Sequence, residues 1–439
     1  MTINNFFIKN LFPNLQKEYS LLPICLSTGL WIFLSPMQDL PRIPIGSFYL
    51  RIGYIGLLFI IPILFLNYKK YWDIVKAEPL FLLCGLIVLY NIFLLIHHAD
   101  LRAIGFLVWL IFNCIFLLIS SQISFNIFFK LILYSQIINS LYIILSNYFH
   151  SHMILPANYD YYNFLGHVRS YAFLGEPSYV SLLFFPTIIL SNYYLSFKKR
   201  IFTNLLLISA FSFTYSRTSL LCLSILPILL LFPKASRANY IKAFIIPLLA
   251  SIIISAIDNP IFWGYENRTQ VIIAQETPSL IQTMHTNPTL PSPTQFSETL
   301  NSGSTSTRIA AFQKGWAIVK NNFLFGVGLG NSKSYISKQN PNIKNKLHKT
   351  GVHNLFLEII VEQGIIGLVL FLLLLGRVFQ LHLKHGWKPT ATALLFLIFV
   401  PMQLCQNINM PAMWIFLALA YAEVSQRRKM PETPTIQRT

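Results

Sequence analysis

The sequence predicts an all-α integral membrane protein of about twelve transmembrane helices, with one large external loop that contains short amphipathic helices. Of its 439 residues, 54% are hydrophobic and only 11% are charged, whereas a soluble protein normally carries about 25% charged residues. Apolar runs close to the ~20 residues that cross a bilayer recur along the whole chain. Lysine and arginine collect in short turns between these runs, which is typical of loops on the cytoplasmic side.

The apolar runs follow one another in a regular order. They lie at about 20–36, 48–67, 79–96, 102–119, 125–149, 173–197, 201–215, 218–233, 240–257, 354–376, 388–405 and 410–425. The first run is expected to stay as a membrane anchor, because no cleavage signature precedes it. The chain therefore divides into nine helices over 1–257, a loop over 258–353, three helices over 354–426 and a tail over 427–439.

The basic residues orient these helices. Those expected on the cytoplasmic side are Lys9, Lys17, Lys69, Lys70, Lys76, Lys198, Lys199, Arg200, Lys234, Arg237, Arg377, Lys384, Arg427, Arg428 and Lys429. Both termini are then cytoplasmic and residues 258–353 lie outside, since long loops cross the membrane regardless of charge. These loops also account for most of the net charge of +18, so the bilayer is expected as a partner and nucleic acid is not.

Cysteine and histidine give no sign of a metal or another cofactor. All five cysteines lie in apolar runs without CxxC spacing, which argues against a disulfide or a zinc site. Few carboxylates accompany the histidine pairs, which are His97 with His98, His150 with His152, and His382 with His385. Residues 277–307 are rich in Thr, Ser, Pro and Asn, a composition typical of a flexible segment.

Polar motifs concentrate in residues 302–367. Ser306 or Thr307 is expected to cap a helix that begins at Arg308. The apolar face of this surface helix is predicted to consist of Ile309, Phe312, Trp316 and Val319. The run FGVGLGN over 325–331 follows, and its alternate glycines allow tight turns and close approach to a ligand. No strand precedes the run and no Gly-Lys-Ser/Thr follows, which argues against dinucleotide and P-loop motifs.

His353 and Asn354 open the tenth predicted helix, with Asn354 as its expected N-cap. Glu358 and Glu362 are four residues apart and therefore share a face. Glu362 lies more than one turn inside the apolar run, where an ionisable group indicates function. The structural alternatives are a buried ion pair for Glu362 and a satisfied histidine near the cap for His353.

Two further polar sites interrupt the apolar runs. Arg169 precedes a helix whose outer end carries Glu176-Pro177-Ser178, and proline suits the first turn of a helix. Arg217 lies between two short apolar runs, and an arginine at membrane depth usually faces a cavity or a partner. Either arginine is an expected partner of Glu362. The alternatives are a salt-bridged Glu176 and an Arg217 that extends to the membrane surface.

These motifs together resemble the O-antigen ligase and polymerase superfamily. The residues that carry the resemblance are Arg308, Trp316, Gly326, Gly328, Gly330, Asn331, His353, Asn354, Glu358, Glu362, Gly364 and Gly367. The family places an essential arginine at a Ser-Arg-Thr turn similar to that of Arg217. The run from Arg169 to Ser178 resembles the polysaccharide polymerase branch.

The resemblance implies glycan transfer from an undecaprenyl-diphosphate-linked donor to a sugar hydroxyl, at the periplasmic face of a bacterial inner membrane. Arg217 and Arg308 would stabilise the diphosphate charge without a metal ion, and His353 would be the general base. The expected substrate-binding residues are Arg169, Glu176, Asn354, Glu358, Glu362, Trp316 and Gly328.

Three functions stay open from the sequence. The run from Arg169 to Ser178 favours a polymerase that joins repeat units. A ligase would instead attach the finished glycan to lipid A-core or to protein. A transporter of lipid-linked oligosaccharides would need charged residues along several central helices, and the helices of this chain are nearly free of charge.

Overall fold

The protein, described by a computed structural model, is mostly helical over the residues that the structure describes. These residues are 22–36, 42–45, 48–51, 60–98, 101–149, 159–164, 167–170, 174, 177–214, 216–230, 303–338, 352–403 and 410–425. The predicted span at 240–257, the segment 277–302, Glu176 and the C-terminal tail lie outside them.

The first half of the chain folds into successive helices and two short antiparallel hairpins. The helices are α1 (Leu22–Leu34), α2 (Ile60–Leu66), α3 (Tyr68–Ala77), α4 (Pro79–His98), α5 (Leu101–Ser120), α6 (Phe125–Phe149), α7 (Pro177–Tyr194), α8 (Phe197–Phe213) and α9 (Arg217–Leu230). The hairpins pair β1 (Arg42–Ile45) with β2 (Phe48–Arg51), and β3 (Tyr159–Phe164) with β4 (His167–Ser170).

The second half supplies the remaining described elements. They are α10 (Gly303–Asn321), α11 (Ser332–Lys338), α12 (Leu355–Lys384), α13 (Pro389–Phe399), a 3₁₀ turn (Pro401–Gln403) and α14 (Pro411–Ser425). Helix α14 is buried from Pro411 to Ala422 and packs against α5 and α13. A helix that is apolar and covered on all sides forms the core of a bundle.

The prediction that the chain contains membrane-spanning helices is confirmed. Among the described residues, four helical segments are long and apolar enough to cross a bilayer: Pro79–His98, Ala103–Ser120, Phe125–Ser146 and Leu355–Lys384. Shorter apolar helices accompany them at Pro23–Leu34, Pro389–Gln403 and Pro411–Ser425. The total of about twelve spans and the external position of the long loop remain predictions.

Helices α4 and α12 lie antiparallel, because contacts at both of their ends are present. Near one end, Arg377 of α12 donates from Nε and Nη2 to Glu78 Oε1 at 3.0 and 2.8 Å, just before α4 begins. Towards the other end, the Tyr90 hydroxyl of α4 donates to the carbonyl oxygen of Gln363 at 2.7 Å. The early part of α12 therefore lies towards the end of α4 that holds His98.

Several predicted elements differ from the structure. The run at 48–67 is not one helix, because residues 48–51 pair with β1, and its described helical part is Ile60–Leu66. The basic turn at 69–76 is the helix α3, whose Tyr71 is buried. Helix α10 begins at Gly303, so Ser306 and Thr307 lie inside it and do not cap it. The sequence offers four consecutive hydroxyl residues there, and each is a suitable cap.

Candidate functional site

A break in α12 organises the candidate site. Gly364 has φ 63° and ψ −169°, values outside the helical region, while helix continues on both sides. Such a residue interrupts the ladder of backbone hydrogen bonds, and glycine adopts this conformation without the penalty of a Cβ atom. The groups released by the break need other partners, because unpaired backbone groups are costly at membrane depth.

The segment 322–331, called here the glycine loop, supplies these partners. The amides of Val327 and Gly328 donate to the carbonyl oxygens of Val361 and Glu362, both at 2.9 Å. The amide of Ile365 donates in return to the carbonyl oxygen of Phe323 at 2.8 Å. Because its backbone groups complete the bonding of α12, the loop is an integral part of this membrane helix.

The glycines of the loop are required by contacts with neighbouring helices. A Cβ atom on Gly326 would lie 2.5 Å from the carbonyl carbon of Glu362, and one on Gly330 would lie 2.4 Å from the Phe106 ring. Gly328 is buried, and a Cβ there would lie 3.1 Å from the His98 side chain. The close approach that the sequence predicted for a ligand is therefore made here to the protein itself.

Glu362 anchors the end of the glycine loop. Its side chain is only 2% exposed, and its Oε1 accepts hydrogen bonds from the hydroxyl and the amide of Ser332, at 2.7 and 3.4 Å. A buried carboxylate needs such donors. Ser332, at the start of α11, is thus a hydrogen-bond partner of Glu362 among the described side chains. The arginines that the sequence predicts as partners, Arg217 and Arg169, have side chains that lie outside the described ones.

His353 stands in an unusual backbone conformation directly before α12. Its φ is 53°, a left-handed value that is uncommon for residues other than glycine. The next residue, Asn354, is the N-cap as expected, since its Oδ1 accepts from the amide of Leu357 at 3.0 Å. Asn354 also donates to Gln403 Oε1 at 2.8 Å. The bond from Asn354 thus ties the start of α12 to the 3₁₀ turn directly after His353, whose side chain is half-buried.

Helix α10 packs against the start of α12 through a buried face that includes two small residues, Ala311 and Gly315. Ala311, Gly315, Ile318 and Val319 are buried. A Cβ on Gly315 would lie 3.1 Å from the side chain of Val352, the neighbour of His353. Of the predicted apolar face, Val319 is buried in this contact, whereas Phe312 and Trp316 are about half exposed. The smaller Ala311 and Gly315 allow a closer helix contact than the aromatic residues would.

The predicted site residues fall into two groups. The first group lies on α12 or on segments in contact with it and consists of Gly328, His353, Asn354, Glu358 and Glu362. Within this group, Glu358 is buried like Glu362. Trp316 and Arg308 lie on α10, which packs against the same helix.

The other predicted residues lie on different elements. Arg217 is the first residue of α9, and α7, α9 and α12 all pack against the 3₁₀ turn Pro401–Gln403. Arg169 lies in β4 opposite Asp160 of β3.

Three residues with contacts at the site were not predicted from the sequence, namely Gly315, Ser332 and Gln403. Ser332 directly follows the glycine motif, and Gln403 is a polar side chain inside an apolar run, so both carried a readable signal. The importance of Gly315 had no local signal, because it comes from contact with Val352. Within the described residues, no group of three His, Cys, Asp or Glu side chains is placed to hold a metal ion.

The described fold and site define a helical membrane protein in which a loop completes a broken membrane helix beside a constrained histidine. Residues 202–372 match the family model described as O-antigen ligase. This match includes Arg217, Arg308, the glycine loop and His353, and it confirms the resemblance to the O-antigen ligase and polymerase superfamily. The family indicates a bacterial membrane protein that transfers glycans. A search of curated proteins gave no match.

Proposed function

We propose that this protein is a polymerase that joins glycan repeat units, with an undecaprenyl-diphosphate-linked oligosaccharide as donor and a sugar hydroxyl as acceptor. The observation that carries the proposal is His353. It lies within the matched family region, its side chain is half-buried, and its backbone has the left-handed φ of 53°. Such backbone outliers often occur at functional sites, where the surrounding structure maintains the strain.

His353 serves as the general base in this proposal. The acceptor hydroxyl attacks the anomeric carbon of the donor, and a bond forms between its oxygen and that carbon. The bond from the same carbon to the diphosphate oxygen breaks, and undecaprenyl diphosphate leaves with the electron pair. The imidazole takes the hydroxyl proton, for which its ordinary titration range is suitable. A single displacement of this kind inverts the anomeric centre.

Arginines stabilise the leaving diphosphate. A guanidinium group stays charged and offers donors that match two phosphate oxygens at once. We assign this role to Arg308 and Arg217, with Arg169 in support. The packing of α10 against Val352 places the helix of Arg308 beside His353, and the 3₁₀ turn contacts both α9 and α12. Stabilisation by arginine does not require a metal ion.

The remaining site residues divide by their contacts. Asn354 and Glu362 are engaged with Leu357 and Ser332, so we assign them the role of positioning His353 and the glycine loop. Gly328 acts through its close packing against His98. Glu176 and Glu358 are proposed to bind the sugars of the donor and the acceptor.

Transfer of the finished glycan to lipid A-core or to protein is the second candidate, since the description of the matched family is O-antigen ligase. Deletion of the gene distinguishes the two functions through the ladder of surface glycans. Products with a single repeat unit indicate a polymerase, whereas bare core indicates a ligase.

Variants at His353 test the proposed base. His353→Ala should reduce transfer by about 10²–10⁴-fold, a typical effect of losing a general base. His353→Gly removes the imidazole but suits the left-handed backbone, so it should be inactive and well folded. Arg217→Lys should also be severely impaired, since lysine lacks the planar guanidinium group that donates to two phosphate oxygens at once. Arg308→Ala should weaken donor binding as well as turnover. Normal polymer from His353→Gly at wild-type protein level would overturn the assignment.

We also propose that the protein lies in the inner membrane with both termini in the cytoplasm and residues 258–353 in the periplasm. The asymmetry of lysine and arginine supports this orientation. Topology reporters fused at Thr289 and at the C-terminus should label opposite sides of the membrane. Labelling on the same side would contradict it.

A further inference from the structure

Large apolar side chains are exposed along residues 312–325. Phe312 and Trp316 of α10 are 47% and 50% exposed, and the three residues Phe323, Leu324 and Phe325 are 55%, 51% and 43% exposed. This group, called here the aromatic flank, is unusual for a segment in contact with water, because large clusters of exposed apolar residues mark interaction surfaces.

The polar residues of α10 lie elsewhere on the helix. Phe312 and Trp316 are four residues apart and therefore lie one above the other on the helix surface. Lys320 is the exception, because it follows Trp316 by four residues and therefore ends the same row. Gln313 and Asn321 are also exposed, but they lie about 60° and about 140° around the helix from Trp316. The exposed surface of α10 is thus divided into an apolar side and a polar side, as in helices that lie in a membrane surface.

The aromatic flank continues the outer surface of a membrane span. Exposed side chains follow one stripe of α4, at Leu82, Leu86, Leu89, Phe93 and Ile96, and their spacing of three and four residues places them on one face. Helix α4 is one of the candidate membrane spans. The ring of Phe325 lies 5.9 Å from the ring of Phe93, between centroids. The loop therefore touches the stripe of α4 that faces lipid.

The position of Phe93 gives the depth of this contact. Phe93 lies five residues before His98, where α4 ends, and a rise of 1.5 Å per residue puts it about 8 Å from that end. Amphipathic helices at a membrane surface bury their apolar face by about 5–10 Å. The two depths agree for an α4 that ends at the membrane surface, which would put Phe325 at the boundary between headgroups and acyl chains.

We propose that the aromatic flank is inserted into the lipid bilayer, at the end of α4 that holds His98. Irregular backbone at membrane depth is tolerated where protein covers it, and the adjoining residues Gly326–Asn331 are buried. The exposed ammonium group of Lys320 can extend to the lipid phosphates. Trp316, which the sequence assigned to the substrate, is thereby assigned to lipid. The proposal does not depend on the transfer reaction.

Fluorescence quenching in proteoliposomes tests this insertion. The emission of Trp316 is obtained as the difference between the native protein and the variant Trp316→Phe. Lipids brominated in the acyl chains should quench most of this difference, whereas acrylamide in the water should quench little of it. As a matched control, Asn321→Trp in the Trp316→Phe background moves the indole about 140° around the helix, to the polar side, and should reverse the pattern.

A second probe covers the loop itself. Phe325→Trp in the Trp316→Phe background should be quenched by brominated lipid at least as strongly as Trp316. Quenching of Trp316 by acrylamide alone would show that it faces water or a sugar. Failure of both quenchers would show that another protein surface covers it. Either result would overturn the proposal.

Discussion

The backbone amide of Gly328 donates a hydrogen bond to the carbonyl oxygen of Glu362 at 2.9 Å. This bond joins a loop to a membrane helix, and it exists because Gly364 breaks that helix within the next turn. The glycines of both segments belong to one structural device, in which the loop replaces hydrogen bonds that the broken helix has lost. The proposed base, His353, directly precedes the start of the same helix.

Replacement of Gly364 by alanine should strongly destabilise the protein. The backbone of Gly364, with φ 63° and ψ −169°, lies in a region essentially restricted to glycine, and holding another residue there costs about 1–3 kcal/mol. In addition, the new Cβ would lie 2.2 Å from the carbonyl oxygen of Leu324. Thermal unfolding in detergent should show a large loss of stability. Gly376→Ala is the matched control, because no atom lies within 4 Å of its Cβ position, and it should keep or slightly raise the stability of the helix.

Glu362→Gln should leave the protein folded and active. The amide oxygen of glutamine can still accept the hydrogen bond of Ser332, whereas Ser332→Ala removes it and should cost about 1 kcal/mol. Stability and transfer should be measured on the same purified samples. A folded Glu362→Gln variant with the activity loss expected for His353→Ala would show that the negative charge acts in the reaction, contrary to a positioning role.

Asn354→Ala should lower stability by about 1 kcal/mol, because it removes the cap of α12. Asn354→Asp keeps the acceptor for the Leu357 amide but loses the donor to Gln403, so its loss should be smaller. A double-mutant cycle with Gln403→Ala measures the coupling of the two side chains. Zero coupling would contradict the view that this contact holds α12 against the 3₁₀ turn.

Transfer by the purified protein should continue in EDTA. The expectation rests on the arginines assigned to the leaving diphosphate, whose guanidinium groups supply positive charge directly. The measurement compares polymer formed before and after chelation, with a metal-dependent glycosyltransferase as the control. Activity that is lost in EDTA and restored by a divalent ion would contradict stabilisation by arginine alone.

The amino-acid sequence by itself determined the membrane class and many of the helices. Helices α4, α5 and α6 match their predicted runs within a few residues. A stretch of ~20 apolar residues is a local property of the sequence, and it is long enough by itself to cross a bilayer as a helix. The cap at Asn354 was equally predictable, since its acceptor and donor are three residues apart. The family motifs likewise placed His353, Arg217 and Arg308 within the matched region.

Only the tertiary structure decided how these motifs are used. Ser332 donates to Glu362, the glycine loop closes the break at Gly364, and Gly315 of α10 packs against Val352. Each of these contacts joins residues far apart in the chain. The local periodicity of the sequence carries no information on which distant residues will come into contact. Buried polar groups must find hydrogen-bond partners, but which partners are available is decided only when the helices pack.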